Sequence, residues 1–151
     1  MVSRQDSSTP DYRAMAQFRY EIRRFLRASE QIARTAGMKP QQYLLLLALK
    51  GLPEGVQPTI GELAERLQIQ HHSTVELVDR LAGQGLVRRK RAGSDRRQVL
   101  LELTAKGEKS IRELALQHRE ELRNAGGSLV SSLKKILSDV DKPESGRRLK
   151  T

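Results

Sequence analysis

The chain has 151 residues, with 28 Lys and Arg against 18 Asp and Glu, a formal net charge of +10. Nucleic acid or an anionic membrane surface is therefore the first partner to consider, with a merely soluble basic protein as the composition's other reading. The lack of cysteine excludes disulfides, thiolate metal sites and thiol redox sensing, and a hydrophobic fraction of 37% with 3% aromatics sets a thin core, better suited to helices that finish their burial in a partner subunit than to a compact monomer.

Residues 1–10, MVSRQDSSTP, have no apolar core and predict a loose arm rather than a signal peptide. The longest apolar run, Tyr43 to Leu49, is too short to span a bilayer. The expectation is a soluble, cytoplasmic chain with no membrane partner. From Asp11 to about Ala36 the pattern is helical: Met15, Phe18, Ile22, Phe25, Ser29 and Ile32 form one stripe, widened by Leu26 and Ala33. Gly37 follows as a natural C-terminal cap. The near-heptad spacing suggests a helix–helix seam between subunits, the alternative being an ordinary core helix.

Pro40 suits the first turn of a second helix, Gln41 to about Lys50, whose YLLLLAL reads as buried on most sides. Gly51, Pro53, Gly55 and Pro58 then break the chain, with room for a very short strand at Val56-Gln57. Thr59-Ile60-Gly61-Glu62 is a capping box. The helix it opens buries Ile60, Leu63, Ala64 and Leu67, and after the turn Gln68-Ile69-Gln70 another buries Thr74, Leu77, Val78 and Leu81, stopping at Gln84-Gly85. Two short helices joined by three residues are the helix-turn-helix arrangement. The second can start early, after Gln70, or at Thr74, because Ser73-Thr74-Val75-Glu76 is itself a capping box; the early start is preferred.

Leu86 to Lys90 and Gln98 to Leu103 read as two strands joined by the turn Ala92-Gly93-Ser94-Asp95. Thr104 caps a helix over roughly Ala105 to Asn124, with Ile111, Leu114, Ala115, His118 and Leu122 on its stripe. Gly126-Gly127 should break it, and Ser128 should open a last helix with Leu129, Leu133, Ile136, Leu137 and Val140 on one face, ended by Pro143. The tail ESGRRLKT predicts a frayed end.

Charge picks out the hairpin. Between Val87 and Arg97 stand Arg88, Arg89, Lys90, Arg91, Arg96 and Arg97 against Asp95 alone. A helix-turn-helix followed by a basic hairpin is a winged helix: the second helix can lie in the major groove, and the hairpin can reach the minor groove, where arginine is drawn by the negative potential. With the apolar positions inward, the groove face is His71, His72, Ser73, Val75, Glu76 and Arg80; Thr59, capping the first helix of the pair, is placed with the same DNA-contacting set. Taken singly, each is better explained as part of a solvated helix face; the neighbouring hairpin makes the set informative. No phosphate loop, carboxylate pair or Ser/His/Asp arrangement suggests an enzyme. No cofactor or metal is expected, since His71-His72 point about 100° apart on a helix and have no clustered third ligand.

The stretch from Leu63 to Gly107 resembles the MarR (multiple antibiotic resistance regulator) family of transcription factors. The matching pieces come in order: LVDRL closing the recognition helix, GLV leading into the wing, DRR at its tip and LTAKG leading into the next helix. With the flanking helices the resemblance covers about residues 11–140. It implies a mainly α fold with a small β-hairpin. A winged helix-turn-helix lobe (40–104) would be flanked by N- and C-terminal dimerisation helices (11–36 and 105–140) in one domain, with flexible ends at 1–10 and 141–151. It implies a homodimer held through Met15, Phe18, Ile22, Leu129, Leu133, Ile136 and Leu137, on double-stranded DNA at a pseudo-palindromic operator. Arg97 would enter the minor groove, with Asp95 orienting arginine by a salt bridge. Response to a small-molecule effector would arise in a cleft between the dimerisation helices and the lobe. His118 is a candidate lining residue there, although a satisfied core histidine is the stronger reading.

Two positions depart from the family pattern, the His71-His72 doublet and Glu76. An acid facing DNA is repelled by phosphate unless it accepts from a cytosine amino group; otherwise Glu76 serves as the last residue of the Ser73 capping box. The function expected is a sequence-specific, ligand-responsive repressor. A repressor or activator without a ligand, an architectural DNA binder and a winged-helix protein-interaction module stand as alternatives.

Overall fold

A computed structural model of the chain describes residues 9–91 and 98–139. These hold α1 (Tyr12–Thr35), α2 (Pro40–Lys50), α3 (Ile60–Leu67), α4 (His71–Gly83), β1 (Val87–Arg91), β2 (Val99–Leu103) and α5 (Ala105–Asp139). Both expected flexible ends lie almost wholly outside the described residues, as does the hairpin turn. The chain forms two units, one from Ala28–Glu120 and one from Met1–Arg27 with Glu121–Thr151. No described helix is long and apolar enough to cross a membrane.

In the larger unit, local chemistry sets most boundaries. Pro40 opens α2, where its missing N–H costs nothing, and the side chain of buried Gln42 accepts from Lys39 N at 3.2 Å. Thr59 caps α3, its hydroxyl accepting from Glu62 N at 3.1 Å. The reciprocal half of that box is absent, because Thr59 N donates to Gln57 O and Glu62 pairs with Arg66 at 2.9 Å. The helix-turn-helix corner is Gln68, left-handed at φ 53 and steadied by its own side-chain amide donating to Glu65 O at 2.7 Å.

The core gathers the inner faces of α2, α3 and α4 around the wing's apolar side. Leu45, Leu46, Leu63, Leu81, Leu101, Val78, Val87 and Thr74 are its largest fully buried side chains. Each such Leu or Val contributes about 1.5–3 kcal/mol by leaving water. Thr74 belongs there because its hydroxyl donates to Gln70 O at 3.0 Å. β1 and β2 pair antiparallel, with Val87 opposite Leu103, Arg89 opposite Leu101 and Arg91 opposite Val99. That register turns Val87 and Leu101 into the core.

Two expectations are corrected. Val56-Gln57 forms no strand; the contact there is one hydrogen bond from Leu101 N to Pro58 O, 2.8 Å, and proline, lacking an N–H, cannot return the bond that a ladder needs. Gly126-Gly127 does not divide the C-terminal region either, for α5 runs unbroken from Ala105 to Asp139. Each interior glycine costs about 1 kcal/mol relative to alanine, whereas restarting a helix would repeat its unfavourable nucleation. Ser128 consequently sits inside the helix, its carbonyl accepting from the Ser132 hydroxyl at 2.9 Å.

In the smaller unit Asp11 caps α1, its carboxylate accepting from Ala14 N at 3.0 Å. Ala14, Glu21 and Ser132 are buried. Large apolar side chains stand in solvent on both helices, Met15 at 49% and Leu137 at 59% exposure among them, with Tyr12, Tyr20, Val130 and Leu133.

Candidate nucleic-acid interface

α4 begins at His71, with Gln70 in the capping position, so the early start is the one that forms. The Ser73 capping box therefore does not exist: Ser73 lies inside the first turn and Glu76 in the second. At about 100° per residue, buried Thr74, Leu77, Val78 and Leu81 put His72 and Glu76 near the opposite pole, one turn apart. Asp79 lies as close to that pole as Glu76 does, on the other side, and Arg80 lies farther round beyond Glu76. His71, His72, Glu76, Asp79 and Arg80 are exposed; Ser73 and Val75 are half-buried at the edges. Thr59 lies outside this face, with its hydroxyl already engaged in the α3 cap.

The wing is fastened to α4 by charge. Arg89 Nη2 donates to Asp79 Oδ1 at 2.5 Å, and across the ribbon Arg88 Nε donates to Glu102. The Arg88 hydrogen bond, with the charges of Arg88 and Lys90, holds the Glu102 carboxyl below the ordinary glutamate range, against a smaller opposing effect of desolvation. Of the four basic residues on β1, Lys90 and Arg91 have no ion partner among the described residues and stand exposed. Nothing in the amino-acid pattern distinguishes these four; the cross-strand register and the α4 contact divide them. Asp95, Arg96 and Arg97, the expected wing tip, lie outside the described residues.

The wing's other end is locked by Thr104, Lys106 and Gly107. The Thr104 hydroxyl donates to Gly85 O at 2.5 Å and accepts from Gly107 N at 3.0 Å. Thr104 N donates to Leu86 O at 3.1 Å, and Lys106 Nζ to Gln84 O at 2.8 Å. The first turn of α5 thus satisfies the carbonyls that follow α4. Gly107 is required by the fit: a Cβ there would lie 2.0 Å from Leu86 O. The LTAKG signature carried this information, but its partners, some 20 residues upstream in sequence, could not be named from the sequence.

His118 is 5% exposed, and its ring stacks on Tyr43 with centroids 4.0 Å apart and planes 8° from parallel. Nδ1 lies 2.8 Å from Leu114 O and Nε2 3.1 Å from Ser29 O. A neutral imidazole has one N–H and donates to one of these carbonyls at a time. Burial raises the Tyr43 hydroxyl pKa. The ring is thus part of the packed interior. A separate groove of about 620 Å³ runs between α2 and α5, with Leu47, Ile111, Ala115 and Leu116 on its apolar wall and Lys50, Lys109, Arg112 and Arg119 as cations, and Glu108 paired to Lys50 at 2.8 Å. No cluster of three or more metal-ligating side chains occurs among the described residues.

Residues 36–98, from the end of α1 into the wing, match the model of the MarR family. Over that stretch the winged helix is similar to the MarR family. An HTH-type transcriptional regulator of Bacillus subtilis, YsmB, is 32% identical over 94 residues, which are 62% of this chain and 62% of that relative. Two MarR-family structures share the fold. AbsC of Streptomyces coelicolor superposes with a TM-score of 0.69 at 23% identity, covering 84% of this chain and 88% of its own. A mutant MarR from E. coli, complexed with operator DNA, superposes with a TM-score of 0.63 at 20% identity, covering 87% and 95%. Within the MarR match, α3 and α4 are the helix-turn-helix and β1 the first wing strand.

Proposed function

We propose that the protein is a DNA-binding transcriptional regulator, a homodimer on a pseudo-palindromic operator, acting as a repressor that a small molecule releases. The observation that carries this reading is α4 itself, whose outer face is free while a cationic ribbon is fastened at its side by Arg89 and Asp79. α4 enters the major groove, Lys90 and Arg91 hold phosphate, and Arg97 enters the adjacent minor groove. The likeness in fold to a MarR protein complexed with operator DNA supports this docking. Exposed Met15, Leu133 and Leu137 support burial against a second copy, with Phe18, Ile22, Leu129 and Ile136 beside them. The groove between α2 and α5, apolar within and cationic at its rim, suits an amphipathic organic anion.

Selection of bound sequences from a random DNA pool, at two salt concentrations, tests the reading. An inverted repeat should emerge, bound roughly 10³-fold or more tightly than random DNA. Recovery of unrelated sequences whose affinity merely follows salt would overturn it.

A further inference from the structure

We propose that Glu76 selects a base, and that the base is cytosine. The inference rests on α4 lying in the major groove and goes further by naming the reader and what it reads.

Three observations set Glu76 apart. It is no cap, because α4 begins at His71 and leaves Glu76 in the second turn. It is exposed and makes no hydrogen bond or ion pair among the described residues, whereas Asp79, next on the same outer face, is held by Arg89, Glu62 by Arg66 and Glu102 by Arg88. Finally, it stands near the outward pole of α4, with His72 one turn before it. The carboxylate is thus free to meet whatever the helix meets.

An ionised carboxylate only accepts hydrogen bonds. In the major groove, guanine offers acceptors, thymine an acceptor and a methyl group, and only cytosine N4 and adenine N6 offer amino donors. The adenine amino group lies between two acceptors, its own N7 and thymine O4, both of which repel a carboxylate. The cytosine amino group has an acceptor, guanine O6, on one side only. Cytosine is therefore the base that Glu76 tolerates best. In a chain of net charge +10, a carboxylate on the DNA face weakens binding to every sequence through phosphate repulsion and recovers the loss only where an amino group meets it. Glu76 thus trades affinity for discrimination.

The test uses the full-length protein, the selected sequence, and the twelve duplexes that place the three other bases at each of four central positions of one half-site. Wild type, Glu76→Ala and Glu76→Gln are titrated against each, with circular dichroism confirming equal helix content. Wild type should prefer cytosine at one position by on the order of tenfold. Glu76→Ala should lose that preference at that position alone while binding random DNA more tightly. Glu76→Gln should move it toward adenine, which an amide can grip through N6 and N7. An unchanged ranking of bases in both variants overturns the proposal while leaving the regulator reading intact. If the wild type selects no sequence at all, the groove docking of α4 falls and this inference with it.

Discussion

Arg89 Nη2 sits 2.5 Å from Asp79 Oδ1, so one arginine of the wing is bound to the helix beside it. The pair is open to water, at 39% and 59% side-chain exposure, and its contribution to global stability should fall in the range of about 0.2–1 kcal/mol typical of exposed ion pairs. A double-mutant cycle of Asp79→Ala and Arg89→Ala in urea denaturation should give that coupling, and it should shrink as salt is raised. A coupling that persists in molar salt would show that the two side chains meet through packing instead.

The glycines of the C-terminal region should behave in opposite ways. Gly107→Ala drives a methyl group to 2.0 Å from a backbone oxygen, and should cost about 2–3 kcal/mol or more, in the range of overpacked sites. Gly126 and Gly127 have nothing within 4 Å of an added Cβ and lie inside α5. Alanine at either should raise stability by up to about 1 kcal/mol. Thermal unfolding of the three variants measures both; a loss of stability at Gly126 or Gly127 would mean that the glycines serve a break or a close contact in the assembled protein.

The Arg88–Glu102 bridge should respond to acid in one direction. The Glu102 carboxyl is lowered when folded, chiefly by the Arg88 hydrogen bond. Its stabilising effect is therefore fully present above the pKa of glutamate in an unfolded chain, and is lost as pH falls through the lower folded value. A carbon-detected NMR titration should place the Glu102 midpoint below that of an unstructured glutamate peptide, and Arg88→Ala should bring the two together.

Phe18→Asp should convert the proposed dimer to monomer. Phe18 is half-buried in the isolated chain, next in the stripe to exposed Met15, and a charge set into an apolar interface has no partner to offset its desolvation. Sedimentation equilibrium checks this. A well-folded dimer of unchanged affinity would move the seam elsewhere.

Arg97→Ala should weaken operator binding by about 1–3 kcal/mol, the range of a base-groove contact, as read in a gel-shift titration. Equal affinity for wild type and variant would remove Arg97 from the minor groove.

The amino-acid sequence makes legible the helix-turn-helix order, the two strands of the wing, and the caps at Pro40, Thr59 and Thr104. Those features rest on neighbours within a turn or on a period of two or 3.6 residues. It left open where α4 begins, because Gln70 and Ser73 are both acceptable starts by local chemistry. Packing of Thr74 into the core, with its hydroxyl on Gln70 O, agrees with the early start and leaves Glu76 uncapped. It misjudged Gly126-Gly127, where local glycine propensity is outweighed by the cooperativity of a long helix. The packing of distant elements is what sets Arg89 against Asp79, closes Thr104 and Gly107 on the carbonyls after α4, and stacks His118 on Tyr43. Each of those contacts joins residues at least ten positions apart, where periodicity carries no information and the meeting of elements decides.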